Sequence, residues 1–541
     1  MSVIRRCDFP SICTANYSAF VPASQACFPA PQDHDNRQET GMTSNIGIID
    51  TPDTPDSLNT PDTRSDALCE LSATEAVRLL RQRELSPLDL VDAAIARIEA
   101  VDPVVNALPI RCFEAARATA RHFPKPDVAT LQAPGWLAGL PIAVKDYNDL
   151  SGAPTTYGSP IYADNVADRS DLTVANLEQR GAIPIAKSNV PEFAGANTFN
   201  TVFGATRNPW NIELSAGGSS GGSAAALAAG MVWLATGNDL GGSLRIPASY
   251  CGVVGMRPSV GRVPRPASVM PYDPLWVEGP MARSVADVAL MLDAQAHFDM
   301  RDPLSWPAPS VPFVRAISEP SAPARVAFSP NLGIGKVEAE VAAICRTAAL
   351  RFADFGAEVD GAHPDFTGAF EAFQTLRANL VAAVRSPLLE PYRAQICDEI
   401  IWNIEKGLNQ TGADVARADR LRGELFLRVA AFFEQYDVLA CPTVAVAPFP
   451  VSQRFPTQID GEPLASYIDW MYLTFVLTLT GCPVISIPVG LTADGRPVGL
   501  QLMGRPRGDF RLLGAAHLLE QSLGMSSHVP RGPRIAHGSQ A

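Results

Sequence analysis

Apolar residues recur at helical spacing in the first patterned stretch of the chain and in short compact runs beyond it. Leu90, Ala94, Ile98 and Val101 fall on one stripe, the period of an amphipathic helix. Ser86-Pro87 supplies an N-cap followed by proline at the first helical position, and Asp102-Pro103 is expected to end the helix. Upstream, Ser72-Ala-Thr-Glu75 reads as a capping box opening a helix to about Glu84. Apolar runs at 140–144, 182–186, 325–328, 438–440, 484–489 and 499–503 predict strands, and 172–180 and 284–296 predict helices. This alternation predicts an α/β fold around a largely buried sheet. The longest apolar stretch, 470–491, could span a bilayer by length. Thr474, Thr478, Thr480, Gly481, Pro483 and Pro488 interrupt it, so it reads as a buried helix, a Gly-Cys-Pro turn and a strand.

Residues 1–68 follow neither period. Thr-Pro-Asp recurs at 51–53, 54–56 and 60–62, and the segment holds nine acidic and four basic residues. It has too little apolar surface to offset the entropy of ordering, so a disordered tail is expected before one large domain at 69–541. Met42 is an alternative start within that tail.

Charge and cysteine usage narrow the function classes. The chain of 541 residues carries 43 basic and 56 acidic side chains, net −13, without a basic run. Nucleic acid and anionic membrane surfaces are therefore not expected as partners. The ten cysteines are scattered with no CxxC pair, and the seven histidines form no HExxH. That pattern fits neither a disulfide framework nor a zinc site. Arg5-Arg6 lacks a following apolar core, so a cytoplasmic location is expected rather than export. Only five lysines occur, at 125, 145, 187, 336 and 406. One of them, in Gly139-Leu-Pro-Ile-Ala-Val-Lys145-Asp146, ends an apolar strand.

Ala216-Gly-Gly-Ser219-Ser220-Gly-Gly-Ser223 is too glycine-rich for a helix or strand interior. It reads as a loop with exposed backbone N–H groups that opens onto a helix. A phosphate loop would end in Gly-Lys-Ser/Thr, and no lysine is present here. A flexible linker would not sit between apolar segments. Gly217-Gly-Ser219-Ser-Gly221 also fits the G-x-S-x-G nucleophile elbow. The preceding 211–216 run looks like a turn rather than the required strand, and His517 reads as an ordinary helix residue. A catalytic or anion-stabilising loop remains. A second glycine-serine loop, Gly237-Asn-Asp-Leu-Gly241-Gly242-Ser243-Leu-Arg245, follows.

These three elements, in this order, resemble the amidase signature family of serine hydrolases. So do Asp149-Leu-Ser-Gly-Ala-Pro-Thr-Thr156, Gly181-Ala-Ile-Pro-Ile-Ala-Lys187-Ser-Asn189-Val-Pro-Glu192 and Phe203-Gly-Ala-Thr-Arg-Asn-Pro-Trp210. Cys251-Gly-Val-Val-Gly-Met-Arg257-Pro258, Gly279-Pro-Met-Ala-Arg283 and Pro497-Val-Gly-Leu-Gln501 extend the resemblance across about residues 70–525. The resemblance implies a mixed β-sheet covered by helices on both faces and a Ser–cis-Ser–Lys triad. By motif position Ser243 is the nucleophile, Ser219 the bridging serine and Lys145 the base. The backbone amides of Leu240, Gly241, Gly242 and Ser243 would form the oxyanion hole, and Ala194 would give a backbone contact to substrate. The cis peptide would precede Ser219, with Gly218 as its sterically easiest partner.

The residue types suit this work. A serine hydroxyl needs a base to remove its proton. A lysine can serve only when neutral, which calls for a pKa near 7–8 instead of ~10.4. A shift of about 3 units is ~4 kcal/mol, within reach of desolvation in an apolar strand. Asp146 would oppose that shift if it faced the amine, so it is expected to point away. The sequence departs from the family pattern at Ala216, at Asn238 and at Tyr147-Asn148, beside the triad rather than in it. The implied activity is hydrolysis of a C–N acyl bond in a small-molecule amide, ester or carbamate, anilides included, with no metal or organic cofactor. The alternative is the glutamine-hydrolysing subunit of a tRNA-dependent amidotransferase. A homodimer is compatible with either. The aromatic segment 467–475, with Trp470 and Tyr472, is read equally as an acyl-pocket wall or as a core helix.

Overall fold

Eleven strands form one mixed sheet, and its centre carries the glycine-serine loops. The structure is a computed structural model describing residues 63–525 except 196 and 267, together with 532–534. The expectation for residues 1–62, Met42 included, lies outside the described residues. Helix α1 (Thr63–Glu70) begins inside the segment expected to lack order. Cys69, only 5% exposed, anchors it, its thiol directed at Ala93 O.

The strands are β1 (Ile110–Arg111), β2 (Pro141–Lys145), β3 (Ile183–Ser188), β4 (Leu234–Asp239), β5 (Val254–Arg257) and β6 (Val277–Ala282), then β7 (Arg325–Phe328), β8 (Glu358–Gly361), β9 (Val438–Pro442), β10 (Val484–Leu491) and β11 (Pro497–Gly504). Their spatial order is β1-β3-β2-β4-β6-β5-β10-β11-β9-β7-β8. The β3-β2-β4 and β9-β7-β8 neighbours are parallel. The remaining pairs are antiparallel. Every residue of β2, β4, β5, β6, β9 and β11 is buried. A sheet buried along whole strands must be covered on both faces. The described residues from 63 onward belong to one compact unit.

Each predicted helix and strand is present, with ends shifted by at most a few residues. Two helix ends differ from expectation. Ser72 caps α2 (Ala73–Gln82) by accepting the Glu75 N–H. The Glu75 carboxylate turns outward to Arg78, so the box is only half made. Helix α3 (Pro87–Val105) runs through Asp102-Pro103. Pro103 removes one helical hydrogen bond, to a carbonyl at exposed Glu99 where water can substitute. The buried Asp102 carboxylate then accepts the N–H groups of Ala107 and Leu108, which secures the helix end.

Stretch 470–491 folds as expected: a short helix (Tyr472–Thr478), a turn, then β10. No described helix is long and apolar enough to cross a membrane. Trp470 and Tyr472 are 1% and 2% exposed within an apolar cluster that includes Phe373 and Phe475. This segment is core, packed beneath the second glycine-serine loop.

Candidate active site

Strand β2 delivers Lys145 to the sheet centre, where its Nζ is fully buried. The Lys145 backbone N–H donates to Thr236 Oγ1 at 2.8 Å, fixing the end of β2 against β4. Its ammonium group has three acceptors: Ser219 Oγ at 2.7 Å, Ser220 Oγ at 2.8 Å and Asn238 Oδ1 at 2.7 Å. The Tyr147 ring lies 4.8 Å from Nζ. No carboxylate lies within salt-bridge distance of Lys145 among the described residues. Burial lowers its pKa from 10.5 to about 7, partly offset by the more distant Glu278 and Asp239.

Ser219 and Ser220 sit in the loop between a short strand, Asn211–Ser215, and a helix, Gly221–Ala228. The 211–215 run is thus a strand and not the turn expected of it. It pairs with Arg207–Asn208 and bridges Pro450 through Leu214, outside the main sheet. The Gly218–Ser219 peptide is cis, at the position expected from the resemblance. At Gly222 a Cβ would lie 2.4 Å from Asn189 N, so the helix start can approach β3 only with glycine there.

The second loop leaves β4 and brings Ser243 beside the first: the Ser220 N–H donates to Ser243 O at 3.3 Å. Ser243 is half-buried, and its Oγ has no hydrogen bond among the described residues. Asp239 organises this loop. Its carboxylate accepts the N–H groups of Gly242 at 2.9 Å and Leu244 at 3.2 Å, and pairs with buried Arg245 and Arg257. Burial pushes the Asp239 pKa up, but the two guanidinium groups outweigh it and hold the carboxyl near 2. Gly242 therefore departs from its expected role, because its N–H already serves Asp239. The N–H groups of Leu240, Gly241 and Ser243 make no hydrogen bond among the described residues and stand available to an oxyanion. Gly242 is instead a conformational requirement: its φ is +130°, and a Cβ would lie 2.3 Å from Thr474 Oγ1. That hydroxyl donates to Gly241 O at 2.6 Å, so the short 472–478 helix props the loop from below.

Ala194 is exposed, in the left-handed region at φ 63°, and its N–H donates to Tyr147 Oη at 2.7 Å. Only its carbonyl is left for the substrate contact expected of it. Phe193, Tyr147, Tyr157 and Tyr162 form a chain of ring contacts here, with centroids 5.2 to 6.3 Å apart. Asp146 points away from Lys145, as expected. Its carboxylate is 2.8 Å from Lys187 Nζ and also accepts the Thr156 hydroxyl.

Four functional neighbours were not singled out from sequence: Ser220 as a second partner of the lysine, Asp239 as loop anchor, Thr474 as prop, and Glu278. Glu278 lies on β6 directly across from Asn238 and is fully buried. None of them is marked by the hydrophobic pattern; each is a polar residue that strand pairing or loop packing brings to the site. No group of metal-ligating side chains able to hold an ion occurs among the described residues.

The Amidase family model matches residues 89–513. An acylamidase of Rhodococcus erythropolis is 38% identical over 450 residues, covering 82% of this chain and 94% of that protein. The A-type subunit of the glutamyl-tRNA(Gln) amidotransferase of Moorella thermoacetica is 37% identical, covering 84% of this chain and 96% of that protein. Among solved structures, a bacterial aryl acylamidase superposes with a TM-score of 0.78 at 29% identity, covering 86% of this chain and 99% of that one. The chain belongs to the amidase signature family and is a hydrolase of non-peptide amide C–N bonds.

Proposed function

We propose that this enzyme is a stand-alone acylamidase that works through an acyl-enzyme on Ser243, with Ser219 and Lys145 completing the triad. The observation that carries the reading is a buried lysine, poised to be neutral near pH 7, whose Nζ lies 2.7 Å from Ser219 Oγ. Ser243 Oγ attacks the substrate carbonyl and passes its proton to Ser219 as that serine gives its own to Lys145. The tetrahedral oxyanion receives the N–H groups of Leu240, Gly241 and Ser243, each worth about 10²–10³ in rate. Collapse expels the amine, which takes the proton back from Lys145 by way of Ser219. Water then hydrolyses the ester by the same route. The Ser243–Ser219 contact belongs to the substrate complex, since catalytic hydrogen bonds tighten there.

The aromatic ring chain from Tyr147 to Phe193 supports an aryl or other apolar amide, anilides and carbamates included. The seven described cysteines are all free thiols, in keeping with a reducing cytoplasm. Likeness to the amidotransferase protein supports a second reading, a glutaminase that works within a complex. A panel of anilides, aliphatic amides, carbamates and glutamine, assayed with the purified chain alone, separates the two. The acylamidase reading expects turnover of an anilide or apolar amide without partners, abolished by Ser243→Ala. Glutamine hydrolysis alone, stimulated by added partner subunits, would favour the second.

A further inference from the structure

Behind Lys145, away from the two serines, lies a carboxyl group that the triad does not use. Glu278 is fully buried on β6 and faces Asn238 across the β4–β6 ladder. The Asn238 side chain joins the two ionisable groups. Its Oδ1 accepts from Lys145 Nζ at 2.7 Å, and its Nδ2 donates to Glu278 Oε1 at 3.4 Å. An amide oriented this way favours a positive charge at its oxygen and a negative one at its nitrogen. Glu278 Oε2 has no hydrogen-bond partner.

That arrangement is a poor stabilising device. A buried carboxyl with one unpartnered oxygen and one long hydrogen bond is costly, and an apolar residue would fill the site at lower cost. The other ionisable groups around the pair are already engaged. Asp171, at the start of the 172–179 helix, accepts from Val174 N, Asn148 Nδ2 and Asp149 N. Asp239 is held by Arg245 and Arg257, and Tyr147 Oη bonds Pro191 O and Ala194 N. Asp171 faces Glu278 and repels its charge, Lys145 attracts it, and Asp239 adds a weaker pull on Lys145.

We propose that Glu278, acting through Asn238, sets the protonation state of Lys145 and so the pH range over which the enzyme acylates. Glu278 is a positioning residue in this scheme, since it touches no substrate. Two buried groups so close titrate as a pair. Burial and the nearby Asp171 carboxylate raise the Glu278 pKa, and Lys145, with the Asn238 and Asn148 amides, draws it back down. Whenever Glu278 is ionised it favours the ammonium form, which delays formation of the neutral base as pH rises.

This inference rests on the proposed function, and its test separates the two. The rate at which a fluorophosphonate labels the full chain is measured across pH for the wild type, Lys145→Ala, Glu278→Gln, Glu278→Met and Glu278→Asp. Removing the negative charge should let Lys145 lose its proton at lower pH. The acid limb of Glu278→Gln should move down by at least half a unit, making its rate relative to wild type about threefold higher on the limb than on the plateau. Glu278→Met should move it the same way, and serves if the glutamine variant fails to fold. Glu278→Asp, which keeps the charge, should stay near wild type. A uniform loss at every pH with the limb unmoved, or an upward shift, would overturn the inference. If Lys145→Ala retained the wild-type limb, the triad reading itself would fall.

Discussion

Two lysines sit side by side at the ends of parallel strands, both fully buried, in opposite circumstances. Strand register aligns Val144 with Lys187, so Lys145 and Lys187 project to opposite faces of the sheet. Lys187 meets the Asp146 carboxylate at 2.8 Å and donates to Pro154 O and Thr155 Oγ1. Lys145 meets hydroxyls and an amide oxygen, with no carboxylate in direct contact. The same residue type in the same sheet is an ion-pair anchor on one face and, in the proposed mechanism, a proton acceptor on the other. Burial alone does not make a base. Burial with the counter-ion kept off does, and the period-2 alternation that sends Asp146 to Lys187 keeps it off.

The comparison breaks most visibly at Lys145. Lys145→Ala should lower kcat/KM by about 10²–10⁴, and Lys145→Arg should do no better, because a guanidinium stays charged at working pH. Steady-state rates with an anilide check both. Substitution at Lys187 should act on stability instead. Lys187→Ala leaves the Asp146 carboxyl buried without its cation, a loss of about 3–5 kcal/mol, read by urea unfolding. The acid limb of the folded fraction should stay where it is in the wild type.

The pH dependence gives a smaller, signed effect. The proposed mechanism needs neutral Lys145, so kcat/KM should fall as pH drops through about 7. For stability the sign follows from a folded pKa below the unfolded one. Unfolded chains then bind more protons between about 7 and 10.5, and Lys145 destabilises the fold increasingly as pH falls through that window. Wild type minus Lys145→Ala stability should therefore become less favourable from pH 10 to pH 7. Smallest of all, Thr474→Ala removes one hydrogen bond to Gly241 O and should lower kcat several-fold, with little change in unfolding midpoint.

The sheet shows why some of this was legible from sequence and some was not. Strands at 325–328, 438–442 and 484–491 are mostly buried apolar runs that fill a core, so their pattern reports their structure. Strands β4 and β6 lie at the centre and are fully buried, yet they read Leu-Ala-Thr-Gly-Asn-Asp and Val-Glu-Gly-Pro-Met-Ala. Their polar residues are the supports of the site, and hydrophobic patterning does not predict strands that break it for chemistry. Lys145, Ser219 and Ser243 stand out in the sequence because glycine-serine loops and a lysine ending an apolar strand have few structural explanations. Asn238, Glu278 and Thr474 become legible only when pairing places one strand or helix against another. Gly242 shows the converse: its motif position suggested an oxyanion donor, and only the Asp239 carboxylate reveals where its N–H goes.

The central claim is that Ser243, activated through Ser219 and Lys145, carries the acyl group. Peptide mapping by mass spectrometry after fluorophosphonate treatment at pH 8 tests it most directly. A single adduct on Ser243 is expected, absent in Ser243→Ala and formed far more slowly in Lys145→Ala. An adduct on Ser219 or Ser220, or labelling of Lys145→Ala at the wild-type rate, would contradict it.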